Sequence, residues 1–259
     1  MSKPISQRRR VLAWATAASL ALLATGVHAG PAGGNADQLL ADSDKARGGN
    51  LNGVKLKSTI TEFNNGKPGT TLHLDVQSDQ DNSLVVFTEP PRVRGNKMLI
   101  QGRNMWFASQ DVIKPVPISP RQRMLGEASN GDIAVTRYSR DYNATLAGEE
   151  ILDGKPVWVL DLRAKGSGVA YDQVKYFIDK KSLLGLRADF HSVSGDLLKS
   201  ATMEYGNSVE QKGVRHRFIS KIEISDALAS NKKTVLDYSE VRTDDIPSTI
   251  FNLADLTRR

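Results

Sequence analysis

Apolar and polar residues alternate along most of the chain, as they do in a strand with one buried face. Leu72, Leu74 and Val76 are separated by single polar residues, so their side chains share one face. Similar runs predict strands at residues 54–63, 84–88, 143–150, 156–163, 171–179, 184–192, 197–205, 214–224 and 233–241. Turn signals between them, such as residues 64–66 and 153–154, predict an antiparallel sheet with hairpin connections.

Residues 95–138 interrupt this strand pattern. They begin with two short apolar strands that turn at Gly102 and Asn104, and a proline-rich stretch follows. The apolar residues of 121–138 have helical spacing, and residues 36–46 predict a second amphipathic helix. A long antiparallel sheet curls because its twist accumulates. Its concave face must then be closed by further strands, filled by side chains or plugged by these helices.

The first 29 residues have the three parts of a secretory signal. Basic residues precede an apolar run at 11–24, and residues 27–29 form a cleavage site of the A-x-A type. The run is shorter than the ~20 apolar residues of a membrane span. We predict a signal peptide at residues 1–29 and a single periplasmic domain at 30–259 that does not span the membrane. Sec export is favoured over the twin-arginine route, which Arg8-Arg9 matches loosely.

Removal of this signal changes the charge balance. The whole chain has 35 basic and 29 acidic residues, and four of the basic residues lie in the signal. The remainder has 31 basic and 29 acidic residues, a net charge of +2. Nucleic-acid binders concentrate basic charge on one face, so no nucleic-acid partner is predicted. The chain has no cysteine, so its core must stabilise the domain without disulfides.

No catalytic or metal-binding pattern is evident in the sequence. His73, His191 and His216 lack the spacing of metal ligands, and residues 166–168 (Gly-Ser-Gly) lack the frame of a nucleophile elbow. We therefore predict no enzyme, no catalytic residue, no metal and no cofactor. His216 shares a face with Phe218, and we interpret it as a core histidine.

Four features follow one another along the chain. They are a start with a helix and then strands, PPRVRGNKMLIQGRNMWFA at 90–108, ISPRQRMLGEASNGDIAVTRY at 118–138, and YDQVKYFIDKKSLLGLRADFHSVSGDLLK at 171–199. In succession they resemble the LolA/LolB-like superfamily, specifically its branch of outer-membrane lipoprotein-sorting proteins. Two positions depart from that pattern: residues 106–109 (Trp-Phe-Ala-Ser) replace Trp-x-Tyr-x-Pro, and Ile133 replaces a phenylalanine.

The resemblance implies a mainly β (α+β) fold. In it, a single strongly curved antiparallel sheet forms an incomplete β-barrel, with helices as a lid over an apolar cavity. It also implies a non-enzymatic periplasmic carrier that holds lipoprotein acyl chains or lipids on their way to the outer membrane, with an inner-membrane exporter as partner. Each buried CH₂ of an acyl chain contributes ~0.8 kcal/mol, so an apolar cavity suffices.

Two other functions remain open at this point. An envelope sensor or protein-interaction module could use the same fold, in which case the curved sheet would recognise a protein. An envelope hydrolase would need a site that the sequence does not display.

Seven residues are predicted to line the cavity: Met124, Leu125 and Ile133 from the lid, and Trp106, Met203, Tyr205 and Phe218 from the sheet. Because Trp106 and Phe107 are neighbours on one strand, only one of them can face the cavity. Arg121 and Arg123 are candidate contacts for a head group or a membrane partner. The competing interpretations are core packing for the apolar residues and an exposed turn for the arginines.

Overall fold

The computed structural model describes residues 34–133 and 137–257, so the predicted signal lies outside the described residues. Helix α1, Gly34–Ala46, comes first. The first strands are β1 Val54–Asn64, β2 Lys67–Ser78, β3 Asn82–Glu89, β4 Lys97–Gln101, β5 Asn104–Ala108 and β6 Val116–Ile118. A 3₁₀ turn, Pro91–Val93, lies between β3 and β4.

The middle of the chain contains short elements. They are β7 Arg123–Leu125, β8 Ala128–Ser129, a 3₁₀ turn at Asn130–Asp132 and helix α2 Tyr138–Asp141. The remaining strands are β9 Tyr142–Leu152, β10 Lys155–Ala164, β11 Gln173–Asp179, β12 Gly185–His191, β13 Leu197–Glu204, β14 Asn207–Gln211, β15 Val214–Phe218, β16 Lys221–Asp226 and β17 Lys232–Thr243. Two 3₁₀ turns follow, Ser248–Phe251 and Leu253–Asp255.

Thirteen strands form one antiparallel sheet, in the order β6-β5-β4-β3-β2-β1-β17-β16-β13-β12-β11-β10-β9. The two halves of the chain meet where β1 pairs with β17, from Val54 opposite Thr243 to Asn64 opposite Lys232. The sheet curls, because Met105 of β5 and Tyr142 of β9, near its opposite ends, line one cavity. It does not close, since β6 and β9 remain its edges. The predicted mainly β fold and incomplete barrel are confirmed.

The prediction of a helix over residues 121–138 is wrong. Hairpin β7–β8 and a 3₁₀ turn occupy most of this stretch, and only α2 at its end is helical. Gly126 has a φ of +52°, a left-handed conformation that turns the chain between β7 and β8. The Glu127 N–H then donates to Thr234 Oγ1 of β17 at 2.7 Å. A contact with a distant strand therefore fixes a hairpin where local spacing predicted a helix.

Residues 121–133, which we call the cover segment, lie across the concave face of the sheet. Ala128 and Ile133 are buried in the same core cluster as Leu56 and Val76 of the sheet. Met124, also in the cover segment, is partly buried against that cluster. The lid predicted from the sequence is therefore present on this face, as a hairpin and turn.

The strand predicted at residues 214–224 is divided in the structure. Its first part, β15, pairs with β14 in a separate two-stranded sheet, and its second part joins the main sheet as β16. Asn207 anchors this extra hairpin, because its side-chain N–H groups donate to the carbonyls of Ile219 at 2.8 Å and Tyr238 at 2.7 Å. His216 lies opposite Val209 in this hairpin and is half-buried, so it is not a core histidine.

The C-terminal tail packs against the outer face of the sheet. Phe251 and Leu256 are buried there with Leu99 and Ala108, in a cluster separate from the main core. Trp106 packs against this outer cluster, which covers the side of β4 and β5 that faces away from the concave surface. The apolar residues of the tail therefore hold it against the sheet.

Candidate functional site

A cavity lies between the concave face of the sheet and the cover segment. The empty space in it is about 830 Å³, including space open to solvent. Most of the residues around it are apolar. Its lining consists of Arg47, Gly49, Leu56, Val76, Asp132, Ile133, Tyr138, Phe190, Ala201, Met203, Tyr205, Phe218, Ile219, Ile222, Ile224 and Tyr238. We call this space the central cavity.

The period of two along each strand explains how the wall is built. Ala201 and Met203 alternate along β13, and Ile222 and Ile224 alternate along the neighbouring β16. These two pairs stand opposite each other in the strand register, with Ala201 facing Ile224 and Met203 facing Ile222. Adjacent strands therefore contribute a continuous apolar patch to the central cavity.

The structure brings together four of the seven predicted lining residues. Ile133, Met203, Tyr205 and Phe218 line the central cavity. Phe218 reaches it from the β14–β15 hairpin, which the sequence pattern did not separate from the main sheet. Whether these four side chains contact a ligand stays a prediction.

Three predicted lining residues lie elsewhere. Met124 and Leu125 pack against the main core from the cover segment without lining the central cavity. Trp106 points to the outer cluster, whereas its neighbour Phe107 packs towards the main core. The ring centroids of Phe107 and Phe87 are 6.0 Å apart in an edge-to-face arrangement. Only one of the two aromatic neighbours faces inward, as strand geometry requires, and it is the phenylalanine.

The two predicted head-group arginines differ in their surroundings. Both terminal nitrogens of Arg121 donate to the Asp172 carboxylate at 2.7 Å, and these hydrogen bonds raise the pKa of Arg121. Arg123 is 68% exposed, and its guanidinium lies 3.6 Å from Glu127. Neither arginine lines the central cavity.

Arg47 is a cavity residue that sequence reasoning missed. It follows α1 directly and lines the central cavity. Its Nη2 donates to Asp44 Oδ1 at 2.9 Å, and its guanidinium carbon lies 5.0 Å from the centroid of the Tyr138 ring. The same Asp44 carboxylate accepts the backbone N–H of Ser139 at 2.8 Å. The only available signal was a basic residue at the end of a predicted helix, which is common at such positions.

A second missed feature is a buried polar network that joins the cover segment to the sheet. Lys199 Nζ on β13 lies 3.0 Å from Asp132 Oδ2, and their side chains are only 8% and 9% exposed. The ammonium also donates to the Glu127 carbonyl at 2.6 Å and to Ser129 Oγ at 3.2 Å. Tyr171 O–H donates to the other oxygen of Asp132 at 2.8 Å. Both charges are therefore paired and hydrogen-bonded, as buried charges must be.

Buried tyrosines in the central cavity and beside it are held in their neutral form. Burial raises the pKa of Tyr138 and of Tyr171 well above the ordinary value of 10.0. Burial also raises the pKa of Tyr205, whose O–H donates to the Gly185 carbonyl at 2.8 Å. At neutral pH these side chains therefore act as neutral hydrogen-bonding groups in an apolar wall.

The described residues give no sign of a metal centre. Within 34–133 and 137–257, no three histidine, cysteine or carboxylate side chains are grouped so that they could hold a metal ion. In the same part of the chain, no helix is both long and apolar enough to cross a membrane.

Comparisons with known proteins give the same architecture. A family model described as "Uncharacterized protein" matches residues 79–258. No curated protein sequence matches the chain. Among solved structures, a DUF1329 family protein from Desulfovibrio piger has 22% identity and a TM-score of 0.70, covering 85% of this chain and 97% of that chain. A domain named for outer membrane lipoprotein sorting, from Vibrio parahaemolyticus, has 18% identity and a TM-score of 0.73, covering 87% and 100%. These two likenesses show the fold.

A further solved structure is more similar in sequence. It is a LolA superfamily protein from Nitrosomonas europaea, with 30% identity and a TM-score of 0.74. The alignment covers 84% of this chain and 97% of that chain. The likeness therefore extends over the curled sheet and its cover and is not restricted to one motif. On this evidence the chain belongs to the LolA superfamily.

Proposed function

We propose that this protein is a non-enzymatic periplasmic carrier. It holds the acyl chains of lipids or lipoproteins in the central cavity during their transfer towards the outer membrane, and an inner-membrane exporter supplies them. The observation that carries this proposal is the central cavity itself, which is apolar along β13 and β16 and is covered by residues 121–133. The superfamily membership and the name of the Vibrio domain support it.

Burial of methylene groups is sufficient to drive such binding. Each CH₂ that leaves water contributes ~0.8 kcal/mol, so ten would contribute ~8 kcal/mol. That free energy corresponds to a dissociation constant of ~1 μM before the costs of ordering the chain are subtracted. The wall therefore needs no reactive group to retain its cargo.

Two matched alanine substitutions test the role of the central cavity. Ala201 lines it and is 2% exposed, whereas Ala108 lies in the outer cluster and is 3% exposed. Leucine at either position adds the same volume; in the packed outer cluster this costs about 1–3 kcal/mol in stability, and beside the open cavity it costs no more. Only Ala201→Leu takes space from the cavity, room for about three methylenes, so a fluorescent fatty acid should bind on the order of 50-fold more weakly.

The protein purified from its own periplasm provides the second part of the test. Native mass spectrometry should detect a bound lipid or an acylated peptide, and its mass distinguishes the two. The proposal fails if the wild-type protein carries no lipid and does not bind the fluorescent fatty acid. Copurification of a protein partner without lipid would instead support a sensor or interaction module.

A further inference from the structure

A second cavity adjoins the central cavity. Its volume is about 580 Å³, including space open to solvent. Asp132, Tyr138 and Phe190 line both cavities, so these three side chains form a shared wall. The other residues around the second cavity are apolar residues, glycines and tyrosines, except for Arg103, Arg140 and Asp141.

Two arginines distinguish this second cavity, which we call the arginine chamber. Arg103 Nε donates to Asp141 Oδ1 at 2.9 Å, and Arg140 Nη2 donates to Asp141 Oδ2 at 3.1 Å. Arg103 Nη2 also donates to the Arg140 carbonyl at 3.3 Å. One carboxylate therefore holds two guanidinium groups in place. Each guanidinium has five N–H donors, so donors remain on both for a further anion.

The loop at residues 166–168 lies beside Arg103. Gly168 has a φ of +89°, which favours glycine, and a Cβ atom built there would lie 3.4 Å from Arg103 Cβ. That is an ordinary van der Waals distance, so the loop backbone approaches the arginine closely. The Gly-Ser-Gly segment, which looked like an ordinary loop in the sequence, thus forms part of the wall around Arg103.

Positive charge is in excess around the arginine chamber. Arg137 Nη1 lies 3.7 Å from Asp81, and Lys165 Nζ donates to the Ser139 carbonyl at 2.8 Å. Together with the two chamber arginines, these groups make four cations against two carboxylates, Asp81 and Asp141. The other acid in the wall, Asp132, is already paired with Lys199. Arg137 and Lys165 lie outside its lining, so the excess positive charge surrounds the chamber, where it favours the entry of an anion.

On the basis of the carrier function proposed above, we propose that the arginine chamber binds the anionic head group of the cargo. The group is a carboxylate or a phosphate, and its acyl chain extends into the central cavity past Asp132, Tyr138 and Phe190, the side chains that line both cavities. Guanidinium groups bind both anions through paired N–H donors. The cargo is therefore an anionic amphiphile, matched by one apolar and one cationic compartment.

Two ligands with the same acyl chain distinguish the contributions of the two compartments to binding. A fluorescent fatty acid and its methyl ester have equal apolar length, but only the acid is charged. The wild-type protein should bind the acid about tenfold more tightly, because a hydrogen bond to a charged group contributes roughly 1–1.5 kcal/mol more than a neutral one. Arg103→Gln and Arg140→Gln should each remove this preference and leave ester binding unchanged. Arg163→Gln changes an exposed arginine on β10 and serves as the matched control.

The outcomes distinguish this inference from the carrier function. If neither ligand binds wild type, the carrier function fails and the head-group site fails with it. If both bind equally, or if Arg103→Gln and Arg140→Gln leave the preference intact, the head-group site is refuted and the carrier function stands. Inorganic phosphate should compete with the acid and not with the ester. Phosphate that binds through Arg103 without displacing the acid would indicate a free-anion site and overturn the inference. Circular dichroism of each variant verifies that it is folded.

Discussion

Replacing Lys199 with methionine tests whether one buried ion pair anchors the cover segment. The Lys199 ammonium lies 3.0 Å from Asp132 and 2.6 Å from the Glu127 carbonyl, both in the cover segment. Methionine has a similar length and no charge, so Lys199→Met removes these contacts with little change in volume. The rest of the β13 wall is untouched.

The cost follows from what remains around Asp132. Its carboxylate keeps the Tyr171 O–H at 2.8 Å and the Ser129 N–H at 2.8 Å, but it loses the Lys199 cation. Removing one partner of a buried pair costs about 3–5 kcal/mol. Because two hydrogen bonds remain, we expect about 3 kcal/mol for Lys199→Met. Asp132→Asn should cost a similar amount, since it leaves the ammonium buried. The double variant should cost less than the sum of the two, because neither charge is left.

Two measurements read out this perturbation. Urea unfolding, followed by both fluorescence and circular dichroism, gives the change in the free energy of unfolding and verifies two-state behaviour. Hydrogen exchange should show that residues 123–133 lose protection first, since local opening can precede global unfolding. Lys175→Met is the control, because the side chains of Lys175 and its partner Asp161 are 38% and 49% exposed and such a pair contributes less than about 1 kcal/mol.

The refuting result is specific. If Lys199→Met costs no more than Lys175→Met, and exchange in the β7–β8 hairpin is unchanged, the buried pair does not anchor the cover segment. Apolar packing of Met124 and Leu125 against the core would then have to hold it.

Three further predictions concern other parts of the molecule. Phe251→Ala should destabilise the protein by about 3–5 kcal/mol while fatty-acid affinity stays unchanged, because Phe251 packs in the outer cluster. Stability should fall as the pH rises above about 10. Burial raises the pKa of Tyr138 and Tyr171, so the unfolded chain loses those protons first. Tyrosinate absorbance should therefore increase only with unfolding. Asp44→Asn removes the negative charge that pairs with buried Arg47 and should cost about 3 kcal/mol in urea unfolding, and a cost below about 1 kcal/mol would contradict the importance of that pair.

Most of the sheet was predictable because its signals are local. Leu72, Leu74 and Val76 alternate in the sequence, and all three are buried on one face of β2. The turn at residues 64–66 lies between β1 and β2, as the Asn-Gly signal predicts. Alternation and turn residues are properties of a few neighbouring positions, so they survive in the sequence without knowledge of the fold.

The cover segment was not predictable in this way because distant residues determine its form. Met124, Leu125 and Ile133 have a spacing that suits a helix. Thr234, which accepts the Glu127 N–H, lies 107 residues further along the chain. A single sequence contains no local signal for this contact, and tertiary interactions override helix propensity. The same reason explains why the hairpin that brings Phe218 to the cavity was not recognised.

Lys199 is different, since the strand pattern does contain its signal. Along β13, Lys199 shares the inward face with Ala201 and Met203, and all three are buried. A lysine in an inward row requires a partner of opposite charge, and Asp132 in the cover segment supplies it. The period of two therefore identifies a buried cation, although only the fold identifies the carboxylate.

The use of a charged pair at this position has a physical consequence for the cover segment. Well-packed apolar residues in place of a buried ion pair are often as stabilising or more so. A purely apolar contact would, however, expose apolar surface to water whenever the cover separates from β13, at about 25 cal/mol per Å². Lys199 and Asp132 regain hydration when they separate, which offsets part of their lost attraction. Water can therefore replace the lost partners of Lys199 and Asp132 when the cover separates, whereas it does not compensate an exposed apolar surface, and combining Lys199→Met with Asp132→Asn exchanges this property for a neutral contact.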